Sequence, residues 1–88
     1  MRLDVFLKLS RLVPRRTLAQ ALCDAGAVLV NGLPAKSART VRVGDEVTLH
    51  LRRRRIVVRV AHLPETKSVR TPTALYEQLS EERLDDDV

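Results

Sequence analysis

An α+β fold is predicted: two N-terminal helices packed on a small, mostly antiparallel sheet, with a short C-terminal helix and an acidic tail. Three observations predict it. Apolar residues recur at helical spacing from Leu3 to Ala25. Short β-branched runs then alternate with the turn signals Asn31-Gly32 and Val43-Gly44-Asp45. The charge balance also reverses along the chain: residues 1–72 hold 15 Lys/Arg against 5 Asp/Glu, and residues 73–88 hold 1 against 6. With 88 residues, the chain is expected to form one small domain, burying only about 60% of the surface that its unfolded form exposes.

Leu3, Phe6, Leu7 and Ser10 share one helical stripe, and Asp4, Lys8 and Arg11 share another. The first should face the core, the second solvent or a ligand. Asp4 is expected to cap this helix, to pair with Lys8 one turn on and to orient Arg2 or Arg16. A second helix should run to about Ala25, with Leu18, Ala21, Leu22 and Ala25 on its inner face. Pro14 suits its opening, and Gly26 is the expected left-handed cap. Ala27–Val30 reads as a strand, Asn31-Gly32 as a tight turn, and Leu33–Ala35 as a returning segment that Pro34 confines to an edge or bulge.

Lys36, Arg39 and Arg42 follow at a spacing of three in a loop. After the Val43–Asp45 turn, Glu46–Leu51 alternates Val47, Leu49 and Leu51 against Glu46, Thr48 and His50, as a half-buried strand does. Arg52–Arg55 should form a hairpin tip and Ile56–Val60 the last strand. Leu63–Thr71 reads as an irregular connection. Pro72–Leu79 reads as a short helix with Leu75, Tyr76 and Leu79 on one side, and Glu81–Asp87 as a frayed acidic end. The domain with its added hairpin is thus placed at residues 1–62, and the connection, helix and tail at 63–88.

The formal net charge is +5, and a basic body beside an acidic tail points to a polyanionic partner for the body. Most of the cations are arginines, whose planar fork suits bidentate phosphate contact. They concentrate where the second helix begins: Arg11, Arg15 and Arg16 lie close together, with Lys8 one turn earlier. Free backbone N–H groups and the macrodipole at a helix start already favour an anion. A solvated basic helix end is the bland alternative. The only aromatic residues are Phe6 and Tyr76, so there is no platform for stacking single-stranded bases. Recognition of a polyanionic partner is expected to rest on its phosphates. Neutralising five or six phosphates would give log affinity a slope of about −4 to −5 against log salt.

Other chemistries find little support. Cys23 is the sole cysteine, which excludes an intrachain disulfide and points to a packing role. His50 and His62 have no third ligand at metal spacing. No apolar run approaches the roughly 20 residues of a membrane span, and the first residues lack a secretion signal's apolar centre; a cytoplasmic location is expected. Asp4, Asp24, Asp45 and Glu46 read as cap, exposed helix position, turn and strand face. No nucleophile–base set and no phosphate-binding glycine loop is suggested, so neither enzymatic activity nor a cofactor is expected.

Arg2-Leu-Asp-x-Phe-Leu7, Ser10-Arg-Leu12, Arg16-Thr-x-Ala19, Gly26-x-Val28, Val30-Asn-Gly32, Lys36-Ser37 and Val43-Gly-Asp45 resemble, in that order, the RNA-binding domain first described in small-subunit ribosomal protein four. This S-four domain carries the alpha-L motif. The resemblance spans about residues 1–50 and implies two helices against a small sheet, with the exposed helix face and adjoining loop on structured RNA. Almost end to end, the chain also resembles the family of ribosome-associated quality control P-site factors, RqcP. That likeness implies a ribosome-associated protein that binds obstructed large subunits carrying peptidyl-tRNA. It implies contacts with the tRNA and large-subunit rRNA, and support for a partner protein that adds C-terminal alanines. On the matching positions, Arg2 and Arg16 would touch RNA, joined by Lys8, Arg11, Arg15 and Lys36, with Asp4 and Thr17 in support. A monomer is expected. The alternatives are a heat-shock-type factor for stalled subunits, which typically has a longer basic extension, a ribosome-assembly RNA-binding protein, and a module for acidic protein partners.

Overall fold

The computed structural model describes residues 1–64 and 75–83. Helices α1 (Leu3–Leu9) and α2 (Arg16–Asp24) come first. Five strands follow: β1 (Val28–Val30), β2 (Leu33–Pro34), β3 (Glu46–Leu51), β4 (Arg54–Val60) and β5 (Tyr76–Arg83). All pairings are antiparallel and the strand order is β2-β1-β3-β4-β5. The core forms where Leu3, Phe6 and Leu7 of α1 meet the inward residues of the central strands, Val28, Val30, Val47, Leu49, Val58 and Val60. Val13, fully buried in the link between the helices, pins that link to the core.

The α1 stripe of Leu3, Phe6, Leu7 and Ser10 is buried as its spacing predicts. For α2 the predicted face is displaced by one residue. Ala19 and Cys23 are buried and Leu22 half-buried, whereas Ala21 and Ala25 are exposed and Leu18 is 42% exposed. Helix separation shrinks where the side chains at the contact are small; Ala19 and Cys23 join the core cluster and Leu18 turns outward. Gly26 does follow the helix in a left-handed conformation, with φ +75°.

Asn31 and Gly32 both have positive φ, +52° and +84°, the signature of a type I′ hairpin turn. The Asn31 side chain fastens that turn to the next one: its Nδ2 donates to Asp45 Oδ1 at 3.1 Å, and its Oδ1 accepts from the Glu46 amide at 2.9 Å. At the end of α1, Arg11 occupies the left-handed position that glycine usually fills, with φ +61°. Its amide donates to the Lys8 carbonyl at 3.1 Å. Arg11→Gly is therefore expected to raise folding stability by about 0.5–1 kcal/mol, readable as a higher thermal midpoint. An unchanged or lower midpoint would mean that the arginine side chain contributes to the fold itself.

Residues 76–83 form a strand: Tyr76–Leu79 is not helical, Glu81–Arg83 is paired rather than frayed, and β4 is not the last strand. The spacing of Leu75, Tyr76 and Leu79 is helical, but β4 leaves an edge to be paired, and the charges of the two segments match in register. Arg59 lies opposite Glu77 and Arg55 opposite Glu82. Ion pairs join Arg59 to Glu77 at 3.2 Å and Arg54 to Glu81 at 3.6 Å. Tertiary pairing thus overrides local helix propensity. Buried Leu75 anchors the start, its carbonyl accepting from the amides of Ala61 and His62. The Arg52–Arg55 run divides: Arg52 and Arg53 connect the strands, while Arg54 and Arg55 already belong to β4. Pro72–Ala74, most of the expected connection, and the tail residues Leu84–Asp87 lie outside the described residues.

Candidate nucleic-acid interface

The site is built on a buried carboxylate. Asp4, in the first turn of α1, has no exposed surface. It is not the helix cap: that position is Arg2, which makes no side-chain capping bond. Nor does Asp4 pair with Lys8; it turns toward α2. Asp4 Oδ1 accepts from Arg2 Nε at 3.1 Å and from the Val5 amide at 2.8 Å. Oδ2 accepts from Arg2 Nη2 at 3.2 Å, Arg16 Nε at 3.1 Å and Gln20 Nε2 at 2.9 Å. Burial alone would raise the pKa of this carboxyl group. The hydrogen bonds from Gln20, Arg2 and Arg16 outweigh that penalty and hold it at about 2, below its usual 3.8.

One anion thereby holds two cations side by side that would otherwise repel each other. Both arginine side chains remain half-exposed. Arg16 uses only its Nε on Asp4, so both its Nη groups are free of partners among the described residues. A planar donor fork fixed from behind and open in front is suited to phosphate oxygens.

The surroundings extend this positive face. Lys8 shares a shallow cleft between the helices with Val5, Leu9 and Arg16. Arg15 is the N-cap of α2 and makes no side-chain capping bond. Arg11 stands exposed at the other end of the interhelix link. The loop carrying Lys36 is tied to the start of α1. The Leu3 amide donates to the Arg39 carbonyl at 2.8 Å, the Asp4 amide to the Ser37 carbonyl at 3.1 Å, and Arg2 bridges to Thr40. This loop therefore satisfies the first amides of α1 and brings exposed Lys36 and Arg39 toward Arg2. Thr17 is exposed and its side chain makes no hydrogen bond among the described residues.

Sequence reasoning linked Asp4 with Arg2 and Arg16 but missed Gln20, which lies one turn beyond Arg16 on the same face of α2. That i, i+4 spacing was the available signal. Arg39 was read only as part of a basic loop. Cys23 packs inside, and its thiol pKa is pushed up by burial and by the negative charges of Asp4 and Asp24, which leaves it a poor nucleophile at neutral pH.

Known proteins resemble this chain in sequence and in fold. The S4 domain family model matches residues 1–47, the segment containing both helices and the loop. The protein named RQC P-site tRNA stabilizing factor from Halalkalibacterium halodurans is 42% identical over 84 residues, covering 96% of each chain. Its namesake from Bacillus subtilis is also 42% identical, over 96% of this chain and 98% of its own. The one from Helicobacter pylori is 40% identical over 86% of this chain and 92% of its own. Among solved structures, a trimeric structure of Vibrio cholerae heat shock protein 15 superposes with a TM-score of 0.82 at 25% identity, covering 91% of this chain and 82% of that one.

Proposed function

Because the chain belongs to the S4-domain family of RQC P-site tRNA stabilizing factors, we propose that it stabilises peptidyl-tRNA on obstructed large ribosomal subunits. It contacts tRNA and large-subunit rRNA through the face built on Arg2, Lys8, Arg11, Arg15, Arg16 and Lys36. In doing so it supports C-terminal alanine tailing by a partner protein. It acts in the cytoplasm, as a monomer, without catalysing a reaction: the tRNA is held while other components carry out the chemistry.

The observation that carries this reading is the arginine pair fixed by Asp4. Arg2 Nε and Arg16 Nε both lie 3.1 Å from the buried carboxylate, so two cations are oriented before any ligand arrives. Preorganised donors lose little side-chain freedom on binding, and they read the backbone and shape of a folded RNA rather than its bases.

The test is co-sedimentation with purified large subunits, either empty or loaded with peptidyl-tRNA, at matched salt. A clear preference for loaded particles is expected. Equal binding to both would favour a constitutive assembly or structural role. The structural likeness to heat shock protein 15 favours a second reading, a heat-shock-type factor acting on stalled subunits. A reconstituted alanine-tailing reaction discriminates the two: the proposed factor increases tail length, and a factor of the second kind binds loaded subunits without doing so.

A further inference from the structure

We propose that the tip of the β3–β4 hairpin is a second phosphate-binding site for RNA, separate from the helix face, so that one domain holds two stretches of RNA backbone at once. The proposal rests on the RNA-binding reading above and extends it to a part of the molecule outside the S4 match at residues 1–47.

Arg52 and Arg53 form the two-residue connection, and Leu51 pairs with Arg54 beneath it. The pairing of β1 with β3 stops at Val28 and Leu49, so the hairpin continues past β1 and among the described residues is flanked there by β5, with Arg83 opposite Arg54. Arg52, Arg53, Arg54 and Arg83 line one open depression with Glu81. The only ion pair in it among the described residues is Arg54–Glu81, long at 3.6 Å and with both side chains at least 40% exposed. Among the described residues, four arginines thus line the depression beside one glutamate, a weak and solvated counter-charge. Arg53 also sits at φ +68°, where glycine or asparagine would be relaxed. Among the described residues, nothing in the packing calls for this cluster.

The tip is distinct from the helix site. Arg16 opens α2, whose nine residues span about 13 Å. The chain leaves the other end of that helix, and the Ala27 carbonyl accepts from the His50 amide at 2.8 Å, just before the tip. The two clusters are therefore carried by opposite ends of α2 along the path of the chain. An RNA ligand is favoured over an acidic protein because, among the described residues, the depression is lined by arginines and a glutamate alone. It lacks the apolar centre that protein interfaces need, while planar donor forks match phosphate oxygens.

The test measures the affinity of a fluorescein-labelled RNA stem-loop, two helical turns long, over a salt series. The combined variant Arg52→Gln, Arg53→Gln and Arg54→Gln is expected to lose about two to three units of salt slope and at least tenfold in affinity. Glu81→Gln should bind more tightly than the parent chain. These opposed signs separate a binding site from a folding defect. Arg16→Ala serves as the control for the helix face. If it weakens binding while the triple variant and Glu81→Gln match the parent, the second site is overturned and the RNA reading stands. If no variant changes affinity or slope, that reading falls and takes the proposal with it. A polyglutamate peptide that the parent binds as tightly as RNA, and the triple variant does not, would reassign the tip to an acidic protein.

Discussion

Asp4→Asn is expected to lower folding stability by about 2–3 kcal/mol at neutral pH, and to weaken RNA binding as well. The carboxyl pKa falls from 3.8 to about 2 on folding, and each unit of such a shift corresponds to about 1.4 kcal/mol of stability. Losing the charge also leaves Arg2 and Arg16 side by side with nothing to neutralise them. In an 88-residue chain a change of this size lowers the thermal midpoint by roughly 10–20 °C. The pH dependence identifies the cause. A depressed carboxyl pKa contributes stability that is fully present above about pH 4 and is lost as pH falls through 2. The gap between parent and variant should therefore be constant near neutrality and close between pH 4 and 2. Denaturant titrations across that range test this, and a gap that persists undiminished at the acid end would assign the loss to packing rather than to the charge.

Arg16→Ala should weaken RNA binding by about tenfold to a hundredfold, the worth of one charge-assisted contact of roughly 1.5–3 kcal/mol. It should also remove about one unit from the salt slope. The fold suffers less, because Asp4 keeps its bonds from Arg2 and Gln20. Arg16→Lys separates charge from geometry. A lysine restores the slope, since a cation still meets the phosphate. It does not restore affinity, because one ammonium group cannot hold Asp4 and face outward as the guanidinium does. Fluorescence anisotropy at several salt concentrations reads both quantities. Unchanged affinity and slope in Arg16→Ala would move the interface away from the start of α2.

Much of this arrangement is legible in the sequence, for local reasons. The α1 stripe, the Asn31-Gly32 turn and the Gly26 corner each follow from a short-range rule and appear in the structure, whereas the β3 alternation appears only in part: Val47 and Leu49 are buried, but so is Thr48 from the opposite set, and Leu51 is only half-buried. Sequence reasoning also linked Asp4 with Arg2 and Arg16. It could not see that this carboxylate is buried, because the position of Asp4 in the polar stripe looks like a solvent-facing one. What buries it is α2 crossing over it with Gln20, a contact between residues 16 apart. The face of α2 was misjudged for a related reason: Leu18 outranks Ala19 in hydrophobicity, but close approach selects small side chains. The segment from Tyr76 was read as helical because a strand of glutamates acquires its reason only from the arginines of β4 across from it.

That last pairing has a consequence for how copies of the protein meet. β5 forms an outer edge of the sheet, exposed from Glu77 to Arg83, and a bare edge strand is a template for joining another chain. The strand beneath it carries Ile56, Val57 and Val58 in succession, a run suited to cross-molecular stacking. β5 covers that run with Glu77, Glu81, Glu82 and Arg83, charged side chains of the kind that disfavour edge-to-edge joining of two sheets. The strand that closes the fold therefore also guards it against aggregation.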